Sequence, residues 1–197
     1  AHNPPYGAIF FYNLGDTLKT SKEIRRAKEK KEKNDYYPSF EELRKEKTEE
    51  KSFLLFVIKD AKGSGVKKIK KAATPGLSTA VWDLHYTTSA PTRLKPQVVG
   101  RYGDAEQGPF AIPGNYTVEI VLVKNGNFST LTPAVPFEVK LLDNRTLQAA
   151  DLQALSEFQN EIEELSRQVA GTQKQIGEIS NKLKYINKAI VEYPNAK

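Results

Sequence analysis

The sequence has no cysteine and no methionine, one tryptophan and two histidines among 197 residues. Without cysteine there is no disulfide framework, zinc ribbon, thiol nucleophile or iron–sulfur cluster. With only His2 and His85, histidine catalysis and histidine metal ligation have almost no material. No apolar run approaches the roughly 18 residues that span a bilayer, so no membrane span is expected. Nor does a secretory signal pattern open the chain. Ala1-His2-Asn3-Pro4-Pro5-Tyr6-Gly7 reads as an inter-domain linker, and the missing Met leads us to expect a fragment or processed form of a longer protein. Glycine-rich phosphate loops, nucleophile elbows, zinc spacings and EF-hand loops do not occur. Gly63-Ser64-Gly65 lacks the Lys-Ser/Thr of a phosphate loop and is explained by a hairpin turn. No cofactor, metal site or catalytic residue is therefore assigned.

What is present begins with charge. The formal net charge is +6 and the sequence pI about 9.3, which raises the question of nucleic acid. Residues 19–33 hold eight Lys/Arg against three Glu, but extending to Lys51 gives twelve bases against nine acids. Interleaved Lys and Glu at helical spacing mark a solvated, salt-bridged helix pair. A nucleic-acid surface would carry less acid and more interleaved aromatics. No nucleic acid is expected, and docking on an adjacent domain is preferred. Thr20-x-x-Glu23 and Ser39-x-x-Glu42 fit capping boxes, which predicts helices over roughly 21–33 and 39–50.

Strand signals surround this insertion. Ala8 to Leu14 is aromatic and apolar, and Phe53-Leu54-Leu55-Phe56-Val57-Ile58 reads as a core strand. Val66 to Lys70 alternates like an edge strand. In Leu77 to Tyr86, Ala80, Trp82, Leu84 and Tyr86 should share one face, with Asp83 and His85 on the other. Pro113-Gly114 suits a type II turn, and Asn125-Gly126 is a hairpin signal between Tyr116–Val123 and Phe128–Leu131. Val135 to Leu141 follows. Seven or so short strands at these spacings predict an Ig-like or fibronectin-like β-sandwich. The expected layout is linker and first strand over 1–18, helical insertion over 19–51, sandwich over 52–143 and a long coiled-coil helix over 146–193.

Gly76-Leu77-Ser78-Thr79-Ala80-Val81-Trp82-Asp83-Leu84 followed by Pro113-Gly114-Asn115-Tyr116-Thr117-Val118 resembles bacterial Ig-like modules of the flagellar-hook-cap type. Adding Asn3-Pro4-Pro5-Tyr6-Gly7-Ala8, Phe53-Leu54-Leu55-Phe56 and Gly108-Pro109, nearly the whole chain is similar to the C-terminal region of large secreted bacterial proteins. Those carry sortilin-like or BNR-repeat β-propellers, and some are labelled glycosyl hydrolases. The resemblance implies an exported, extracytoplasmic parent, with the parent's own propeller as a partner. Its motifs are structural, and no Asp-box propeller repeat occurs here.

The sharpest pattern is C-terminal. With Leu155 at heptad position a, the a residues are Leu155, Ile162, Val169, Ile176, Leu183 and Ile190, and the d residues are Phe158, Leu165, Thr172, Ile179 and Ile186. This seam runs for about five heptads, a coiled-coil length, and Pro194 ends it. One helix cannot bury it alone. The partner is a second copy, a helix beyond this sequence, or the flank of the sandwich. From 149 to 170 five acids face one base, and from 171 to 190 four bases face one acid. That polarity matches the helix macrodipole and favours an antiparallel partner. Positions e and g are mostly Gln, Ser, Asn and Ala, while Gly171 and Gly177 soften the middle.

The remaining candidates are weighed against ordinary roles. Asp83 reads as a polar anchor, since no partner carboxylate is identifiable, and His85 as surface packing. Trp82 is expected in the core. Tyr36, Tyr37 and Tyr102 are exposed-loop aromatics able to stack on a sugar or a partner. Sequons at Asn115, Asn127 and Asn144 are read as chance. The leading expectation is a non-catalytic structural or interaction module that associates, or packs within its parent, through the C-terminal helix. A carbohydrate- or ligand-binding accessory module of a glycoside hydrolase is the alternative. A hydrolase site completed by the absent propeller, with loop 87–108 reaching into it, ranks third.

Overall fold

Short β-branched and aromatic runs between turn residues become strands, and the two charged segments behind hydroxyl caps become helices. The computed structural model describes residues 6–15, 18–32, 37–90, 92, 107–142 and 151–193. Their order is β1 (Ala8–Leu14), α1 (Ser21–Glu32), α2 (Phe40–Thr48), β2 (Phe53–Asp60), β3 (Gly65–Ala72), β4 (Gly76–Trp82), β5 (Gly114–Lys124), β6 (Asn127–Thr130), β7 (Val135–Val139) and α3 (Leu152–Glu192). The architecture is mixed α and β, with two sheets and a long C-terminal helix. The chain divides into one unit of Ala1–Tyr86 with Pro113–Asp143 and another of Thr87–Ile112 with Asn144–Lys197.

In the first unit β1 pairs antiparallel with β4, Ala8 opposite Trp82 and Leu14 opposite Gly76. The second sheet runs β3-β2-β5-β6, with β7 paired to the first half of β5. Period-two alternation sends Leu54, Phe56 and Ile58 of β2 to one face, all fully buried. An aromatic cluster joins the sheets there. Phe10 and Tyr12 of β1 lie 6.4 and 5.0 Å from Phe56, and Trp82 of β4 lies 5.3 Å from Tyr116 and 6.0 Å from Phe137. Edge-to-face and offset rings contribute beyond their buried area. The opposite face of the larger sheet is also partly dry. Val121 and Val123 are buried and Leu55 and Val57 half-buried, which is why β2 reads as a continuous apolar run.

Turns follow their residues. Asn125 and Gly126 take φ of 50° and 77°, both positive as a type I′ hairpin requires. The fourth strand is shorter than its sequence predicts. It ends at Trp82, and Leu84 turns left-handed at φ 58°. Local polar bonding outcompetes the ladder there. Asp83 Oδ1 accepts from the His85 amide at 3.2 Å, His85 Nδ1 lies 2.9 Å from the Asp83 carbonyl, and Trp82 Nε1 donates to the His85 carbonyl at 2.9 Å. Leu84 and Tyr86 therefore do not extend the Ala80–Trp82 face. Tyr86 instead sets its hydroxyl 3.3 Å from that of Tyr116; burial, then this bond, pushes the Tyr116 phenol pKa up.

The helical insertion is held by ions more than by apolar packing. Both capping boxes form: Thr20 N–H donates to Glu23 Oε2 at 2.9 Å, and Ser39 N–H to Glu42 Oε2 at 2.8 Å. Arg25 grips Glu46 with Nε at 2.6 Å and Nη2 at 2.8 Å, a bidentate pair, and also bonds Glu29. Glu49, the C-cap of α2, accepts from Ser21 N–H at 2.7 Å, so the helices run antiparallel and the second caps the first.

Two outcomes follow from these contacts. A Cβ on Gly7, whose φ is +118°, would sit 1.9 Å from the Trp82 carbonyl oxygen. Gly7→Ala should cost about 2 kcal/mol or more, seen as a lower urea midpoint with Trp82 fluorescence as reporter; an unchanged midpoint would contradict the close approach. Second, the bonds from Arg25 hold the Glu46 carboxyl below its ordinary range, and the Thr20 backbone amide does the same for Glu23. A lowered folded pKa gives stability that is complete above the unfolded value, about 4.3, and is lost as pH falls through the folded one. Amide NMR shifts of α1 and α2 should therefore move below about pH 4, before those of the sheets, and Glu46→Gln should loosen the pair already at neutral pH.

Candidate interaction surface on the C-terminal helix

The helix α3 begins where Asp151 stops extended backbone, at φ −143° and ψ 101°, and its Oδ1 accepts from the amides of Gln153 and Ala154, both at 2.9 Å. The predicted start at 146 falls in residues 143–150, which lie outside those described. It ends at Tyr193, extended at ψ 114°, as a residue preceding proline prefers. At 41 residues the helix is roughly 60 Å long.

The ten apolar seam residues Leu155, Phe158, Ile162, Leu165, Val169, Ile176, Ile179, Leu183, Ile186 and Ile190 are all exposed, from 43% to 62%. Thr172, the polar member of the stripe, donates its hydroxyl to the Gln168 carbonyl at 2.8 Å. Its methyl can then face a partner without burying an unmet donor. A second stripe was missed by reading the sequence. Ser156 is buried at 8%, and Leu152, Gln159, Glu163 and Ala170 are part-covered. These fall at heptad positions b and e, beside the apolar seam. Glu163 Oε2 is covered and has no hydrogen-bond partner among the described residues. Lys174 Nζ donates to the Thr92 carbonyl at 3.3 Å, tying the helix to the other segment of its own unit. Only the small size of Ser156 and Ala170 hinted at that stripe, and small polar residues are common on any solvated face.

The outward faces carry local ion pairs, Arg167 with Glu164 at 3.0 Å and Lys188 with Glu192 at 3.7 Å. Such exposed pairs contribute little. Contiguous exposed apolar surface of this kind is uncommon on soluble proteins that remain monomeric.

Compared with known proteins, the chain matches no family model, no curated protein and no solved structure. The functional reading therefore rests on the geometry and on the residue patterns themselves.

The other candidates disperse. Tyr36 and Tyr102 lie outside the described residues, as does most of loop 87–108. Tyr37 is placed just before the α2 cap and is 88% exposed, and Phe40, three residues on, is exposed too. Trp82 is fully buried and cannot offer a ring face to a ligand. Asp83 is spent on the turn described above. Ser21, Lys45, Thr48 and Glu49 line an open cleft with Asn125 and Gly126 of the β5–β6 turn. Among the described residues no three His, Asp or Glu cluster as metal ligands, and no helix is long and apolar enough to cross a membrane.

A Cβ at Gly171 or Gly177 would meet nothing within 4 Å. Each Gly→Ala change should therefore stabilise α3 by about 1 kcal/mol, measured as a higher helical melting temperature by circular dichroism. A lower one would mean that these glycines are in close contact with a partner.

Proposed function

We propose that this chain is a non-catalytic structural and interaction module of a larger exported protein, and that α3 is its docking element. The single observation behind this reading is the row of ten exposed apolar side chains on one helix face. Burying such a row against another helix releases about 25 cal/mol per Å² of apolar surface, whereas leaving it wet forgoes that stabilisation along some 60 Å of helix. The body is an Ig-like β-sandwich. Among the described residues, seven strands in two antiparallel sheets joined by a Trp82–Tyr116–Phe137 cluster support it, though the two-plus-five partition of strands differs from the four-plus-three of an Ig constant domain. The likeness of its Trp-Asp and Pro-Gly-x-Tyr strands to modules of secreted BNR-repeat or sortilin-like propeller proteins supports an extracytoplasmic parent whose propeller the module accompanies.

A second reading, an accessory module that binds carbohydrate, draws on the exposed Tyr37 and Phe40. Exposed rings on a surface segment can stack on a ligand. Loss of glycan binding in Tyr37→Ala with Phe40→Ala would favour it, and silence of the intact chain on a glycan array would remove it.

The docking reading is tested by amide hydrogen exchange along α3. Protection should exceed that of a lone solvated helix, and Leu165→Asn with Ile176→Asn should collapse it while leaving the sheets unchanged. Rapid exchange in the native chain, unaltered by the pair of substitutions, would contradict the proposal.

A further inference from the structure

The seam is self-complementary when its direction is reversed, and this identifies what covers it. We infer that α3 docks on α3 of a second copy of this chain, antiparallel, about a two-fold axis passing between Ala170 and Gly171; this inference rests on the docking role proposed above. Antiparallel coiled coils set a residues opposite d residues, and a two-fold interface must be complementary to itself. Placing Leu165 of one copy opposite Ile176 of the other also sets Leu155 against Ile186 at each end and Val169 against Thr172 at the centre. Every a and d residue from Leu155 to Ile186 then has a partner of the other type. Val and Thr match in shape, and the bond from the Thr172 hydroxyl to the Gln168 carbonyl leaves its methyl for the contact.

Charge chooses the same register. Of the e and g positions between 152 and 190 only Glu161 and Lys182 are charged, and both are exposed g residues. In an antiparallel pair g faces g. In this register Glu161 of each copy meets Lys182 of the other, giving two ion pairs related by the axis. Sliding one heptad so that Ile190 joins the seam keeps as many layers but sets Glu161 opposite Ala189 and Lys182 opposite Gln168. Sliding the other way loses layers. A parallel pair would bring the acidic halves side by side, with Asp151, Glu157, Glu161, Glu163 and Glu164 repelling their own copies, and would align the two macrodipoles. The basic halves, with Lys174, Lys182, Lys184 and Lys188, would do likewise. The reversed arrangement instead lays each acidic half along a basic one.

The chain has no cysteine, so a single nitroxide on Gln153→Cys reports the geometry directly by pulsed electron–electron resonance. The stated register puts the two labels roughly 55 Å apart, from 1.5 Å of rise per residue and the width of a helix pair. A distance under about 25 Å means a parallel dimer, and one about 10 Å longer than expected means a one-heptad slip. Either overturns this inference while leaving the docking role in place. No dipolar coupling between copies at any concentration also overturns it, and exchange along α3 then decides the docking role separately. A charge cycle gives an independent readout. Glu161→Lys and Lys182→Glu should each weaken the dimer several-fold, and the two together in one chain should restore it. Equal loss in the combined variant would overturn the register.

Discussion

One constraint organises the molecule: leaving a long apolar helix stripe in water forgoes the stabilisation that its burial would give. Isolated helices in water are marginal even with good propensity, and most helical stability comes from packing an amphipathic face. The stripe on α3 is long, and it is interrupted only by Thr172, whose hydroxyl is already satisfied. The helix ends are set locally, by Asp151 at the start and by the proline after Tyr193 at the finish. What these caps leave open is the long face between them.

The sheets solve the same problem internally. Their apolar faces meet through Phe10, Tyr12, Phe56, Trp82, Tyr116 and Phe137, and polar groups at the rim of this cluster are tied off, as Trp82 Nε1 is by the His85 carbonyl. The helical insertion follows a third solution. With few apolar residues it relies on caps and on the Arg25–Glu46 fork, so its stability falls in acid as those carboxylates are protonated. These differences in what holds each part together leave α3, unlike the sheets, with a long exposed apolar row.

Much of this was legible in the residues. Short-range rules located β1, the hairpin at Asn125-Gly126 and both capping boxes, because each depends on two to four neighbouring residues. The heptad seam was legible for the same reason, as a fixed period along one helix. Legibility failed where a residue answers to its surroundings. The end of β4 could not be seen because period-two alternation runs on through Leu84 and Tyr86, while the Asp83–His85 hydrogen bonds that stop the strand have no period. The stripe of buried Ser156 and part-covered Glu163 was equally hidden, since nothing in a polar b/e pattern distinguishes a covered face from a wet one. The partition of seven strands into a sheet of two and a sheet of five depends on long-range pairing, which periodicity does not encode.

The most direct measurement of the central claim is the molar mass of the native chain in solution by sedimentation equilibrium. The account predicts a species of twice the 22.1 kDa chain mass, dissociating to single chains on dilution and on placing asparagine in the seam. A single 22.1 kDa species at every concentration, indifferent to those substitutions, would contradict it.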